Sequence, residues 1–238
     1  MDGVKEIFIP SGFPTFFKSE LQNIIWVGLF FPLVRVDPNY YLILDPSPKR
    51  RRIKDEVYKN QSTKMNFEQL KFPIGKFKTP KSFSPQDISN WISIIENTPA
   101  QIAAAVNELT EEQLNTPYRP GGWTVRQVVH HLPDSHMNSY IRFKWTLTED
   151  SPIIKAYDEK LWGELEDGKN APIESSLQLL KGLHTRWVIM LKNLSESDLE
   201  KCFTHPESGE KISLKKMIAL YAWHSQHHLA HIQLVVSL

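Results

Sequence analysis

The sequence predicts an all-α helical bundle, and three observations carry that prediction. Four long stretches after residue 84 place apolar residues at helical spacing. Threonine and serine stand where N-caps are needed, at Thr110, Thr124 and Ser213. No Walker motif, G-x-G-x-x-G or G-x-S-x-G marks an α/β nucleotide or hydrolase fold, and no internal repeat is visible.

The first helical stretch is PQDISNWISIIENTPAQIAAAVNEL, residues 85–109, with Ile88, Trp91, Ile92 and Ile95 on one side. Pro99 is expected to break it or to open a second segment. TEEQL follows with Thr110 as cap and acids in the first turn, which suits the helix dipole. RPGGW reads as a turn. Thr124 then caps a long helix, VRQVVHHLPDSHMNSYIRFKWTL. A loop containing Pro152 and Gly168 leads to IESSLQLLKGLHTRWVIMLKNL, where Leu177, Leu180, Leu183, Trp187 and Leu191 share a side. SESDL is a short capped turn and HPESGEKIS a loop or small hairpin. Ser213 caps the last helix, LKKMIALYAWHSQHHLAHIQLVV. The connections after the second and third helices are long enough to carry features of their own.

Residues 1–64 read differently. They hold prolines and aromatics with no sustained period, and KRRR (Lys49 to Arg52) is a solvated charge run more than a nucleic-acid patch. MNFEQLKFPIGKF begins at Met65, and the regular pattern starts there. The expected organisation is a poorly structured N-terminal extension over 1–64, translated from a misplaced start codon, and a helical domain over 65–238; the alternative is a real appendage whose IIWVGLFF run docks on the bundle or a membrane surface. The longest apolar run, residues 24–34, is interrupted by Pro32 and is too short to span a bilayer. It lacks a signal-peptide cleavage pattern.

The 238 residues carry a formal net charge of +1, which argues against a general nucleic-acid binder. One cysteine, Cys202, excludes an intrachain disulfide framework and a thiolate metal cage. The composition suits the cytoplasm, and no membrane partner is expected. A metal site in this chain has to be built from His, Asp and Glu.

Four of nine histidines fall within YAWHSQHHLAHI, residues 221–232. At about 100° per residue, His224, His228 and His231 share the stripe of Met217, Leu220, Tyr221 and Val235, with His227 at its edge. A lone core histidine is usually just hydrogen-bonded. Several on one stripe, with an i, i+4 pair at His224 and His228, suit a metal ion instead, and a further ligand must come from another helix. VVHHLPDSH offers His130, His131 and His136. Helical phase favours His136, which lies in the stripe of Val125, Val129, Leu132 and Phe143, or leaves the choice open. Asp134 is placed to orient a ligand or to move a proton. His184, Arg142 and Arg186 are candidates for meeting an anionic substrate, or for internal pairing. Trp123 and Trp223 are expected to pack beside the site.

TPYRPGGWTVRQVVHHLPDSHMNSYIRFK (116–144), LLKGLHTRW (179–187) and LYAWHSQHHLAHI (220–232) occur in order, and together they resemble the YfiT-type members of the DinB-like bundle family. The resemblance runs from about residue 72 to residue 232. It implies a four-helix bundle, usually dimeric, with one divalent metal held by three histidines. The matching positions are His131, His224 and His228, with His136 and His231 beside them. The activity implied is that of a metal-dependent hydrolase acting on a small molecule; three imidazoles suit zinc, nickel or iron, with zinc first, and Asp134 is the candidate catalytic residue by its spacing from His131. Two other activities stay open: a transferase joining a low-molecular-weight thiol to an electrophile, and a non-catalytic metal-binding module of the stress response. Pro133 departs from the small residue common in the family and is expected to bend the helix beside His131.

Overall fold

A computed structural model describes residues 66–236; the expectations for residues 1–64 lie outside it. Nine helices and one two-stranded sheet are found among the described residues, in this order: α1 (Phe67–Lys71), α2 (Pro85–Val106), α3 (Glu111–Leu114), α4 (Val125–Thr148), α5 (Glu159–Gly163), α6 (Glu166–Asn170), α7 (Ile173–Lys192), α8 (Glu196–Glu200), β1 (Cys202–Thr204), β2 (Lys211–Ser213) and α9 (Leu214–Val236).

The helix starts follow from local chemistry. Asn66, Ser84, Thr110, Thr124 and Ser195 each accept a bond from the backbone N–H three residues on, and the side chain at that position bonds back to the cap's own N–H. Each such reciprocal pair satisfies two donors that a helix end leaves open. HPESGEKIS forms the tip of an antiparallel hairpin that pairs Phe203 with Ile212. The loop expected around Pro152 and Gly168 instead contains α5 and α6. Asp158 caps the first of these by accepting from the backbone of Lys160 and Leu161. Helices of five residues escape periodicity, because one turn carries too few apolar positions to show a face.

The long helices α2, α4, α7 and α9 form the four-helix bundle. α2 packs against α7 and α9, and α4 packs against the same two. Successive long helices α2 and α4 therefore lie across the bundle from each other, as do α7 and α9. The connections between those pairs cross the bundle instead of turning back on a neighbour.

Each long helix has an apolar segment near either end and a polar step between. One core cluster holds Ile95, Phe143, Trp187 and Ile218; the other holds Ile102, Leu132, Leu180 and Ile232. Between them along the four helices come Pro99 on α2, His136 on α4, His184 on α7 and the histidines of α9.

Both prolines that were expected to disturb helices lie inside continuous ones, Pro99 in α2 and Pro133 in α4. A proline has no N–H, so the carbonyl four residues earlier loses its helical donor. For Pro99 that carbonyl belongs to Ile95, and its oxygen is taken by His184 Nδ1 at 2.6 Å. No described helix is long and apolar enough to cross a membrane.

Candidate metal centre

α4 and α9 are packed neighbours in the bundle, and their histidines meet between them. One ring nitrogen from each of His131, His224 and His228 lies within 4.8 Å of the others. His131 Nε2 and His224 Nε2 are 3.3 Å apart. That is about the separation of two nitrogens on one ion at bond lengths of about 2.0–2.1 Å. The ring centroids of His131 and His228 are 4.8 Å apart, and those of His224 and His228 4.5 Å.

All three imidazoles are held neutral. Burial, and secondarily His227, lowers His131 to about 4. Burial first and then neighbouring histidines hold His224 and His228 well below the usual histidine range. A neutral imidazole is the form that binds a metal. His131 and His228 are buried, while His224 keeps partial access to solvent. The donor set is three nitrogens, with no thiolate and no carboxylate, and it fits a divalent ion of the zinc type.

The three histidines line a cleft of about 680 Å³. Trp123 forms one wall, with its ring 4.6 Å from that of His131. Trp223 forms another and stacks on His227 at 4.5 Å. Arg119, Lys71 and Lys160 bring cationic groups to the cleft, and Glu159 and Glu164 bring carboxylates. Glu164 is bound by Lys169 Nζ at 3.0 Å and by Gln127 Nε2 at 3.3 Å. These charged residues belong to loops and short helices without periodicity, so the sequence reading missed them.

The remaining histidines sort by hydrogen bonding. His130 joins α4 to α7: its Nδ1 is 2.7 Å from Ser176 Oγ and its Nε2 3.0 Å from the Ala171 carbonyl. His136 is fully buried, with Nε2 3.0 Å from His224 Nδ1 and Nδ1 2.7 Å from His184 Nε2. His231 Nδ1 lies 3.4 Å from His228 Nδ1, and its Nε2 lies 3.2 Å from the Lys71 carbonyl.

Helical phase favoured His136, but the cluster that could hold an ion contains His131 instead. His131 and His136 both reach His224, on opposite nitrogens of the same ring. His184 is buried inside the bundle. Arg142 bonds the Lys155 carbonyl at 3.3 Å, and Arg186 lies over the Tyr140 ring. None of these three lines the cleft. Asp134 is partly buried and does not line the cleft either. Burial, and then Asp167, pushes its carboxyl up to about 6.

These features define a helical-bundle protein with a histidine cluster between two of its helices that could hold a metal ion. Residues 94–232 match the family model of the DinB superfamily, and the chain belongs to that superfamily. It is 52% identical over 163 residues to "Putative metal-dependent hydrolase YfiT" of Bacillus subtilis, covering 68% of this chain and 92% of that protein. It is 54% identical over 162 residues to "Putative metal-dependent hydrolase OB0782" of Oceanobacillus iheyensis, covering 68% and 93%. The solved structure of the Bacillus subtilis YfiT, described as "a probable metal-dependent hydrolase with an unusual four-helix bundle topology", superposes with a TM-score of 0.70 at 50% identity, covering 71% of this chain and 97% of that one.

Proposed function

We propose that this protein is a metal-dependent hydrolase of small molecules, with His131, His224 and His228 holding one divalent ion. The observation that carries the proposal is the meeting of three neutral imidazoles at the floor of an open cleft. Zinc is the first choice for three imidazole donors and nickel the second. When bound, such an ion acidifies water and polarises a carbonyl.

The chain supplies the rest. Arg119, Lys71 and Lys160 attract and orient an anionic part of the substrate. Trp123 and Trp223 cover its apolar part and displace water from the cleft walls. Asp134, three residues beyond His131, is the candidate the sequence offers for exchanging a proton, but it lies outside the cleft lining. Glu159, which lines the cleft, is the competing candidate. Asp134→Asn and Glu159→Gln separate the two: the true base, once removed, takes the alkaline activity with it while metal content stays unchanged.

A homodimer is the assembly we propose. The supporting surface is an apolar groove between α2 and α7, lined by Ala100, Ala103, Leu177 and Val188 and bordered by the exposed Ile189. The functional test is metal analysis of the purified protein, followed by a panel of esters, amides and thiol adducts. Hydrolysis that tracks metal content supports the proposal. Turnover only when a low-molecular-weight thiol is added with an electrophile makes the protein an S-transferase. A loaded site that binds the metal but turns over nothing leaves a metal-binding module.

A further inference from the structure

Three of the histidines that do not ligate, His136, His184 and His231, form two chains, and each chain starts at a backbone carbonyl and ends on a proposed ligand. In the first, the Ile95 oxygen faces His184 Nδ1 at 2.6 Å, His184 Nε2 faces His136 Nδ1 at 2.7 Å, and His136 Nε2 faces His224 Nδ1 at 3.0 Å. In the second, the Lys71 oxygen faces His231 Nε2 at 3.2 Å, and His231 Nδ1 faces His228 Nδ1 at 3.4 Å.

A carbonyl oxygen only accepts, and that fixes the direction of each chain. His184 Nδ1 must carry the hydrogen that Ile95 accepts. A neutral imidazole has one N–H and one lone pair, so His184 Nε2 is an acceptor. His136 then donates from Nδ1 and accepts at Nε2, and His224 donates from Nδ1. The lone pair of His224 is left on Nε2, the nitrogen that faces His131. By the same steps His231 donates from Nε2 to Lys71 and accepts at Nδ1, His228 donates from Nδ1, and its lone pair is left on Nε2.

Both carbonyls are free for a structural reason. Ile95 lost its helical donor to Pro99, and Lys71 is the last residue of α1, where helix carbonyls lack partners. A proton wire is the other use of a histidine chain. It needs a group at its far end that can keep the proton, and a backbone carbonyl cannot. The chains hold hydrogen positions; they do not carry protons out.

We infer that His184, His136 and His231 are positioning residues which, anchored on the Ile95 and Lys71 carbonyls, lock His224 and His228 in the tautomer that presents a bare Nε2 to the metal. The inference rests on the three-histidine reading of the site.

The test has two arms. Long-range proton–nitrogen NMR correlation on the metal-free native chain reads the hydrogen on each ring. Nδ1–H is expected on His184, His136, His224 and His228, and Nε2–H on His231. Nε2–H on His224 or His228 overturns the lock.

In the second arm, zinc affinity is measured by chelator competition for His184→Phe, His184→Gln, His231→Phe and His231→Gln. Phenylalanine keeps a ring and breaks the chain, and affinity should fall about 10- to 100-fold. Glutamine restores one donor and one acceptor, and should recover most of that loss. Equal loss with both replacements overturns the lock. The His231 pair answers the question even if a His184 variant fails to fold. Native protein that shows the expected hydrogens yet binds no zinc keeps the lock and sets aside the metal reading.

Discussion

Acid should unfold this domain early, because its buried histidines have to be neutral. Burial holds His184 and His227 down to about 4, and burial with His227 holds His231 down to about 3. In the unfolded chain each returns to 6.5. At pH 5.5 the unfolded state therefore binds nearly one proton on each ring and the folded state nearly none. Stability is lost as pH falls from about 7 towards 4, at about 1.4 kcal/mol per ring by pH 5.5, or about 4 kcal/mol for the three. Asp134 works the other way. Its folded carboxyl, raised to about 6, takes up a proton before the unfolded one does, and this offsets about 1 kcal/mol at pH 5.5. The net loss of about 3 kcal/mol is a large part of a typical domain stability of about 5–15 kcal/mol. The ligand histidines of metal-free protein add to it with the same sign. Urea denaturation of metal-free protein at pH 7.5 and 5.5, followed by tryptophan fluorescence, measures the effect. The midpoint should fall by about 1–3 M. His184→Gln should reduce the pH dependence by about 1.4 kcal/mol. An equal or higher midpoint at pH 5.5 would refute the reasoning.

Three further outcomes follow from the packing. Trp187 is fully buried against Phe143 and Tyr221, so Trp187→Ala should cost about 3–5 kcal/mol by denaturant midpoint. Arg126 is buried and bonds the Ala171 carbonyl at 2.9 Å and Asn115 Oδ1 at 3.2 Å. Arg126→Ala should cost about 1–3 kcal/mol, whereas Glu111→Gln, at its mostly exposed ion-pair partner, should cost under about 1 kcal/mol in the same assay. Sedimentation equilibrium should give a dimer at micromolar concentration, and Ile189→Asp, in the α2–α7 groove, should give a monomer; a native monomer would remove the assembly proposal.

The bundle was legible because its four long helices carry sustained apolar periods, and two of them, α2 and α4, open on capping boxes. Pro99 was misread as a break. The cost of the missing N–H is contained when a buried side chain takes the freed carbonyl, and that side chain, His184, lies 89 residues away in sequence. The pair His224 and His228 was legible from i, i+4 spacing on a core stripe. The α4 partner was not, since phase gives direction around a helix but not reach across a bundle. The two candidates, His131 and His136, turned out to touch different nitrogens of His224. The charged rim of the cleft was invisible for a different reason: Arg119, Glu159 and Lys160 are placed by a turn and a five-residue helix, where tertiary packing alone decides position.

X-ray absorption on zinc-loaded protein, compared with His131→Ala, His224→Ala and His228→Ala, tests the central claim most directly. One ion per chain with three imidazole nitrogens at about 2.0–2.1 Å is expected, with loss of that ion in each variant while α-helical circular dichroism persists. A full complement of metal in any of the three variants, or a native spectrum dominated by oxygen or sulfur ligands, would contradict it.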